Sequence, residues 1–288
     1  MIRAALLAAG LGLTLTACGV GSDPATPALW QIDCPNERQG WLFGTVHALE
    51  RPADWRSEAI DKALADADVL MVELADLDDA QGAALVWKKL ATSPGQGPLS
   101  ARVTPEKRAA LAEVLKRTGL KDGQFDDTET WAAALTVAQA ATPQTESAYG
   151  IDRAVMAASK GMQVKELEGR EVQLSLFDRL PEKEQRDLLE AVIADAQRGR
   201  NEAADLAAAW RKGDMTAIEK ETARGMLADP ELREALFTGR NRNWASQIKK
   251  ALDSGQTPFV AVGAAHLAGP QGLPDLIAES DCAVARVQ

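Results

Sequence analysis

Only two histidines occur in the 288-residue sequence, and both close the same four-residue pattern. The pattern is Gly-x-x-His, from Gly44 to His47 near the start of the chain and from Gly263 to His266 near its end. A short apolar run precedes each pattern, and such a run followed by a glycine predicts a buried β-strand that ends in a turn. Both histidines are therefore expected just past the end of a strand.

Two further stretches predict strands that end in a carboxylate. The apolar run from Val69 to Val72 is followed directly by Glu73, and an alternating stretch from residue 163 ends at Glu168. A short, wholly apolar run is typical of a strand buried on both faces of a parallel sheet. In addition, residues 29–32 and 40–43 predict a hairpin, and residues 282–287 predict an edge strand.

The long segments between these strands have helical periodicity. Residues 79–141 and 171–253 contain apolar side chains at helical spacing, for example Leu188, Leu189 and Val192. Strands alternating with helices at both ends of the chain, with a helical block between them, predict an α/β fold. We expect a small, mixed, largely parallel central sheet that is flanked by helices and carries a large helical insertion.

The first residues of the chain indicate an export signal. Arg3 gives a positive start, and residues 4–15 form an apolar run that is too short to span a bilayer. Residues 15–19, Leu-Thr-Ala-Cys-Gly, resemble the lipobox of bacterial lipoproteins, in which the cysteine becomes the lipidated N-terminus. The resemblance implies that residues 1–17 are removed and that Cys18 is the lipid anchor. Cleavage at the same position without a lipid is the alternative.

The residues after this cysteine predict where the domain begins and where the protein resides. By resemblance to other lipoprotein signals, Gly19 in place of an aspartate favours the outer membrane, with the protein facing the periplasm. Residues 18–28 are mostly small and include prolines, which predicts a flexible tether. Residues 29–288 are expected to form a single domain.

The charge of the chain opposes one class of partner. The sequence has 32 basic and 42 acidic residues, and loss of Arg3 with the predicted signal changes the net charge from −10 to −11. So acidic a surface opposes binding to nucleic acids and to anionic lipid headgroups. Membrane contact is therefore expected through the lipid alone.

Two cysteines remain once Cys18 is assigned to the lipid. Cys34 and Cys282 stand near the two ends of the predicted domain, and an exported protein permits a disulfide between them. The sequence does not show whether their Cα atoms come close enough, so the bridge stays open.

Four side chains that carry chemistry follow predicted strand ends: His47, Glu73, Glu168 and His266. In open α/β sheets, ligands bind outside the carboxyl ends of the strands. Imidazole nitrogen and carboxylate oxygen together suit zinc, iron, cobalt or manganese. Three such ligands leave a position for a water that the metal makes nucleophilic, and a spare carboxylate can take its proton. One interpretation of the set is therefore a metal-dependent hydrolase.

Each of these residues also has a simpler interpretation. A histidine after a strand can be a hydrogen-bonded turn residue, and a glutamate can cap a helix or pair with an arginine. Arg240 and Asn241 lie in a polar stretch of predicted helix, where a guanidinium can hold a carboxylate, stabilise charge on a substrate oxygen, or face solvent. Asp152 follows Gly150 and is expected in the first turn of a helix.

Together these motifs resemble the TraB/PrgY/GumN family, nearest to its bacterial GumN-like lipoproteins. The resemblance rests on an ordered set of residues: 41–47, 72–74, 150–152 with 167–168, Arg240 and Asn241 with Trp244, and 262–267 with Gly269. It covers the whole predicted domain. It implies a fold similar to that of the erythromycin-esterase and ChaN-like proteins, and the family includes the animal Tiki proteins, which are membrane-tethered metalloproteases.

The resemblance also implies roles for individual residues. His47, His266 and Glu73 are implied as ligands of a divalent cation, manganese, cobalt or zinc, or as ligands plus a base in the case of Glu73. Arg240 is implied as an electrostatic partner at the catalytic site, with Asn241 beside it. The remaining members of the set are expected to support the site: Gly44, Gly263, Asp152 and Glu168.

These observations predict a lipid-anchored, metal-dependent hydrolase that faces the periplasm and acts on a peptide or protein. Two alternatives stay open. The first is a non-catalytic envelope protein that binds a ligand in the same cleft. The second is a metal-free hydrolase in which a histidine is the general base.

Overall fold

The computed structural model describes residues 21–141, 147–198 and 202–288. The predicted export signal and Cys18 lie outside these residues, as do the first positions of the predicted tether. Within the described ranges, no helix combines the length and the apolar character that a membrane crossing requires.

A six-stranded sheet forms the centre of the protein. The strands of the chain are β1 (Asp23–Pro24), β2 (Leu29–Cys34), β3 (Arg38–Thr45), β4 (Ala53–Asp54), β5 (Val69–Val72), β6 (Gln163–Glu166), β7 (Pro258–Gly263) and β8 (Ala283–Arg286). The order in the sheet is β6-β5-β7-β3-β2-β8. The first four of these strands are mutually parallel, whereas β2 is antiparallel to both of its neighbours. The prediction of a mixed, largely parallel sheet is confirmed.

Helices fill the long connections. The α-helices are α1 (Glu58–Asp66), α2 (Ala80–Ala91), α3 (Arg108–Thr118), α4 (Thr130–Ala141), α5 (Ile151–Ala158), α6 (Arg170–Asp178), α7 (Glu182–Arg198), α8 (Glu202–Arg211), α9 (Met215–Thr222), α10 (Pro230–Arg233), α11 (Gly239–Asp253) and α12 (Leu273–Ala278). Short 3₁₀ turns cover Leu99–Ala101, Pro105–Lys107, Asp122–Phe125, Ser147–Tyr149, Gly225–Ala228 and Ala264–Leu267. A π-helical turn, Glu234–Thr238, joins α10 to α11.

The alternation of side chains along the strands produces two hydrophobic layers, one on each face of the sheet. Phe43 and Phe259 pack into one layer, while Leu42 and Val260 pack into the other. Since both faces are covered, the central strands are apolar without interruption, which is why they were recognisable as short apolar runs. Helices α3, α4 and α7 enclose a third, separate cluster around Trp131, and this cluster is the core of the helical insertion.

The chain is attached to the domain earlier than the sequence predicts. Residues 23–28 were expected to belong to a flexible tether, but β1 pairs with β4, and the Thr26 N–H donates to the Arg211 carbonyl at 2.7 Å. Ala28 is buried in the core. The ordered chain therefore includes Asp23, six positions before Leu29. The predicted and observed starts of the domain differ because alanine and proline, which are typical of a tether, also suit an extended strand at the edge of a domain.

A disulfide joins Cys34 and Cys282, whose Cα atoms are 4.1 Å apart. Cys34 ends β2, and Cys282 precedes β8, its neighbour in the sheet. In chain order, the bridge connects the first strand of the six-stranded sheet, β2, to the last, β8. The sequence left this pairing open.

Candidate functional site

The four parallel strands bring their carboxyl ends to one edge of the sheet. His47 follows β3 and Glu73 follows β5, while His266 lies in the 3₁₀ turn after β7. Glu168 comes two residues after the end of β6, because that strand stops at Glu166 rather than at 168 as predicted. The expected meeting of these side chains at one sheet edge is therefore present, and Arg240 reaches them from α11.

Arg240 connects the two glutamates. Its Nη2 donates to Glu73 Oε2 at 2.9 Å and to Glu168 Oε2 at 2.9 Å, while its Nε donates to Glu168 Oε1 at 2.9 Å. The three side chains are 12%, 10% and 3% exposed for Arg240, Glu73 and Glu168 respectively. Burial by itself would lower the pKa of Arg240, but the hydrogen bonds and charges of the two carboxylates raise it. The guanidinium therefore stays charged and neutralises part of a buried acidic pair.

His266 is held neutral behind this ion pair. It is 8% exposed, and burial lowers its pKa to about 3. Its Nδ1 lies 2.5 Å from Asn241 Oδ1, and its Nε2 lies 3.2 Å from Arg240 Nη1. Because a guanidinium can only donate, Nε2 is the acceptor and the proton resides on Nδ1, which donates to Asn241. Both ring nitrogens therefore already have partners.

Neighbouring side chains fix the plane and position of the His266 ring. Phe237 stacks on it with ring centroids 5.1 Å apart, and Trp244 lies at 4.5 Å in a tilted arrangement. Asn241 is completely buried and donates through Nδ2 to the carbonyl of Gln271 at 2.7 Å. Asn241, predicted as a catalytic residue, thus contacts the site only through His266 and has the geometry of a positioning residue.

Arg240 and Asn241 lie in the first turn of α11, directly after the π-helical turn Glu234–Thr238. Both contact the His266 ring, Arg240 at Nε2 and Asn241 at Nδ1. The sequence predicts helical structure throughout residues 171–253, and helical periodicity gives no signal for a local π turn.

His47 belongs to a separate hydrogen-bonded chain with Asp152. The His47 Nδ1 lies 2.8 Å from Asp152 Oδ2, and the Thr45 hydroxyl donates to Asp152 Oδ1 at 2.5 Å. Asp152 is in the first turn of α5, whose first N–H, that of Ile151, donates to the Val46 carbonyl at 2.9 Å. The start of this helix is therefore tied to the end of β3, which brings Asp152 under the imidazole.

His47 and Asp152 have opposite charges near neutral pH. The hydrogen bond that His47 donates to Asp152 raises the pKa of His47 to about 9, although the imidazole side chain is 75% exposed. Burial opposes ionisation of Asp152, but the hydrogen bonds from His47 and Thr45 lower its pKa. His47 is therefore an imidazolium whose Nδ1–H donates to a carboxylate and whose Nε2–H has no protein partner among the described residues.

Glu73 faces the same space as His47. Its Oε1 accepts from the Gly263 N–H at 2.7 Å, and its Oε2 accepts from Gln173 Nε2 at 3.2 Å in addition to Arg240. Burial favours the neutral acid, but the neighbouring His266 ring, the positive charges of Arg240 and His47, and the Gly263 N–H together lower the pKa of Glu73. Glu73 is therefore a carboxylate.

A cavity of about 290 Å³, the histidine cleft, contains both groups. Its lining includes His47, Glu73, Asp152, Arg153, Leu77 and Gln173. His266 is not part of this lining and lies behind Arg240. The cleft therefore presents an imidazolium and a carboxylate to any molecule bound within it.

The two motif glycines allow the strand ends to come this close. A Cβ on Gly44 would lie 3.0 Å from both Cα and Cβ of Ala264, and a Cβ on Gly263 would lie 3.2 Å from Glu73 Oε1. The Gly44 carbonyl also accepts a 2.7 Å hydrogen bond from Trp210 Nε1. Both positions therefore need glycine for close packing, and neither glycine has a positive φ.

Thr45 and Gln173 are site residues that the sequence reasoning missed. Thr45 lies inside the first Gly-x-x-His pattern, and its hydroxyl, a hydrogen-bonding group within the motif, is the signal for it in the sequence. Gln173 lies on α6, one hundred residues beyond Glu73, and nothing in its surroundings in the sequence marks it.

The arrangement does not fit a metal held by His47, His266 and Glu73 as the side chains stand. His266 has both ring nitrogens engaged, and Glu73 Oε2 is bonded to Arg240. In residues 21–141, 147–198 and 202–288, no group of three or more His, Cys, Asp or Glu side chains is placed to hold a metal ion. For these three residues to bind one cation, Arg240 would first have to release His266 and Glu73.

The fold and the site define a class: α/β proteins in which polar side chains from four parallel strand ends meet a helix-borne arginine at one edge of the sheet. The model of the TraB/PrgY/gumN family matches residues 28–286 of the chain. The protein belongs to this family. Searches of curated proteins and of solved structures gave no significant match.

Proposed function

We propose that the protein is a hydrolase whose active site is the histidine cleft, and that its substrate is a peptide or protein. The observation that carries the proposal is the placement of His47 and Glu73 in one cavity, where a raised pKa of His47 and a lowered pKa of Glu73 favour an imidazolium beside a carboxylate. Such a pair supplies a general acid and a general base to the same bound molecule. The peptide nature of the substrate rests on the family resemblance of the motifs.

In this proposal Glu73 is the base. Among the described residues, its Oε1 accepts one hydrogen bond, from Gly263, so a water in the cleft can donate to the same oxygen. Transfer of that proton makes the water oxygen a nucleophile toward a substrate carbonyl. Arg240 balances the charge of Glu73 while it is ionised and holds its carboxylate in place through Oε2.

His47 is the acid. Its Nε2–H faces the cleft, so it can first donate a hydrogen bond to the carbonyl oxygen and then transfer a proton to the leaving amine. Asp152 holds the ring through Nδ1 and stabilises the imidazolium. This role differs from the general-base histidine of the metal-free alternative, because the raised pKa of His47 keeps it protonated near neutral pH. Activity should therefore decline as the pH rises through about 9.

A metal-dependent peptidase is the second candidate. It is favoured by the presence of His47 and Glu73 in one cavity with His266 directly behind them, and by the resemblance to metalloproteases of the family. Manganese, cobalt or zinc would then be held by these residues after Arg240 withdraws. Attachment to the outer membrane through a lipid on Cys18, facing the periplasm, is likewise proposed from the sequence.

Peptide hydrolysis by the purified protein tests both candidates. The assay uses a quenched fluorescent peptide library with the wild type, with His47→Gln and Glu73→Gln, and with Glu58→Gln as a control at an exposed glutamate of α1. The acid–base proposal expects activity that resists chelators, is lost in the two cleft variants and is retained in the control.

Other outcomes assign other functions. Activity that a chelator abolishes and that added manganese, cobalt or zinc restores would establish the metal-dependent candidate. Saturable peptide binding without any hydrolysis would indicate a non-catalytic binding protein. Full hydrolysis by both cleft variants would refute the assignment of the active site.

A further inference from the structure

A second cavity, the apolar groove, lies beside the histidine cleft. It has a volume of about 690 Å³, which is within the usual range of ligand-binding sites. Arg240 and Glu168 line it, so the groove contacts the same ion pair that supports Glu73. Adjacent residues of α6 face the two cavities, since Gln173 lines the cleft and Val172 lines the groove.

The groove has apolar walls. Val172 and Leu176 of α6 form one wall, Ala235 of the π-helical turn belongs to the other, and Leu180 lies between α6 and α7. Val172 is 50% exposed, so its side chain is accessible to a ligand in the groove. These walls suit an aliphatic or aromatic side chain of a ligand.

Carboxylates outnumber cations around these walls. Glu184, Glu231 and Glu234 line the groove together with Arg179, whereas the charge of Glu168 is matched by Arg240. Glu234 also pairs with Arg242, outside the groove. The side chains that line the groove comprise four carboxylates and two arginines, so the lining carries a net negative charge, which favours a ligand with a positive charge.

One of the negative charges in the lining of the groove is the carboxylate of Glu184. Its side chain is 14% exposed, and its Oε1 is 3.5 Å from Lys183 Nζ. Its Oε2 is buried and has no hydrogen-bond partner within the described part of the chain. A buried carboxylate oxygen without a donor is unfavourable, and a cationic ligand group beside the exposed part of this carboxylate would stabilise its charge.

We propose that the apolar groove binds a peptide segment in which an apolar side chain stands next to a lysine or arginine. The apolar side chain packs against Val172 and Leu176, and the cationic group pairs with Glu184 and Glu231. Because Arg240 lines the groove and also bonds Glu73 of the histidine cleft, this segment lies beside the scissile region of a peptide in that cleft. The inference rests on the proposed function in that it assigns a specificity to the peptide substrate.

Fluorescence anisotropy with three labelled heptapeptides tests this specificity without requiring turnover. The probes share a central leucine and differ only in the next residue, which is lysine, alanine or glutamate. We expect the lysine peptide to bind about tenfold more tightly than the alanine peptide, equivalent to about 1.4 kcal/mol. The glutamate peptide should bind more weakly than both, and the differences should shrink with added salt.

Substitutions at the exposed Val172 separate shape from charge. Val172→Arg adds bulk and a positive charge, and we expect it to abolish binding of the lysine peptide. Val172→Glu adds bulk and a negative charge, which suits a cationic peptide, and should weaken binding less. Leu85→Arg is the matched control, since Leu85 is 63% exposed on α2 and does not line the groove. Glu184→Gln should reduce the preference for lysine over alanine while retaining binding of the alanine peptide.

Three results would overturn the proposal. One is equal affinity for all three peptides, another is unchanged binding in Val172→Arg, and the third is a wild-type dimer that Val172→Arg dissociates, which would assign the groove to a second copy of the chain. Failure of the proposed function looks different. In that case, the lysine preference and its loss in Val172→Arg persist in the anisotropy data, but no peptide is hydrolysed.

Discussion

The two histidines should give this protein opposite dependences of stability on pH, in separate pH ranges. His266 has its pKa lowered to about 3 by burial, while that of an unfolded histidine is about 6.5. Between these values the unfolded chain binds a proton that the folded chain does not. The contribution of neutral His266 to stability is therefore fully present above pH 6.5 and is lost as the pH falls toward 3.

The magnitude of this pH dependence follows from the one proton that the unfolded chain binds at His266 and the folded chain does not. Stability should fall by about 1.4 kcal/mol for each pH unit over which only the unfolded state is protonated, or roughly 2 to 3 kcal/mol between pH 6 and pH 4. The perturbation is His266→Gln. Glutamine keeps an N–H for Asn241 and an oxygen for Arg240, but it does not titrate. Between pH 6 and pH 4, we expect the free energy of unfolding of His266→Gln to fall by roughly 2 to 3 kcal/mol less than that of the wild type.

His47 is the matched control. Its folded pKa is raised to about 9, so its contribution is fully present below pH 6.5 and is lost as the pH rises through 9. His47→Gln should therefore leave the slope between pH 6 and pH 4 unchanged. Urea denaturation at pH 7, 6, 5 and 4 measures the slopes, and NMR titration of the two imidazoles measures the pKa values directly. An unaltered slope in His266→Gln, or a loss of slope in His47→Gln, would refute the assignment.

Three further substitutions test the rest of the site and the fold. Arg240→Gln leaves two buried glutamates without a counter-ion and should cost about 3 to 5 kcal/mol in urea denaturation; a cost below 1 kcal/mol would contradict a buried ion pair. Asp152→Asn removes the group that raises the pKa of His47, so NMR should show that pKa moving down toward 6.5, and an unmoved value would exclude the contact. Replacing Cys34 and Cys282 together by serine should cost about 2 to 5 kcal/mol, and equal stability of the variant and the oxidised protein would show that the bridge does not stabilise the fold.

The strand ends could be predicted because local sequence determines them. Val69 to Val72 is apolar without interruption since both faces of the sheet are covered, and the first polar residue after it, Glu73, has to emerge at the sheet edge. The same reasoning located His47 and His266. Parallel pairing then brings these ends together whatever the order of the strands, so the meeting of the residues did not depend on knowing that β7 lies between β5 and β3.

The connections between these residues could not be predicted in the same way. Asp152 was interpreted as a residue of a helix N-terminus, which it is, but its contact with His47 spans 105 positions and depends on the docking of α5 against β3. Gln173 reaches Glu73 only because α6 crosses the sheet edge. Helical periodicity identifies the buried face of a helix and does not specify its neighbour.

Arg240 is the residue that decides between the two chemical interpretations of the site. Its guanidinium bonds acceptors that follow three different strands: Glu73 after β5, Glu168 after β6 and His266 after β7. With these contacts made, Glu73 is an oriented carboxylate, His266 is a neutral support, and only His47 presents a ring nitrogen to the cleft. Acid–base hydrolysis uses this arrangement as it stands. Metal coordination by the two histidines and Glu73 requires Arg240 to leave these contacts. The cation and the guanidinium would otherwise compete for the same nitrogen of His266 and the same carboxylate of Glu73. The two mechanisms therefore correspond to two positions of one side chain, and the position of Arg240 in the substrate-bound protein distinguishes them.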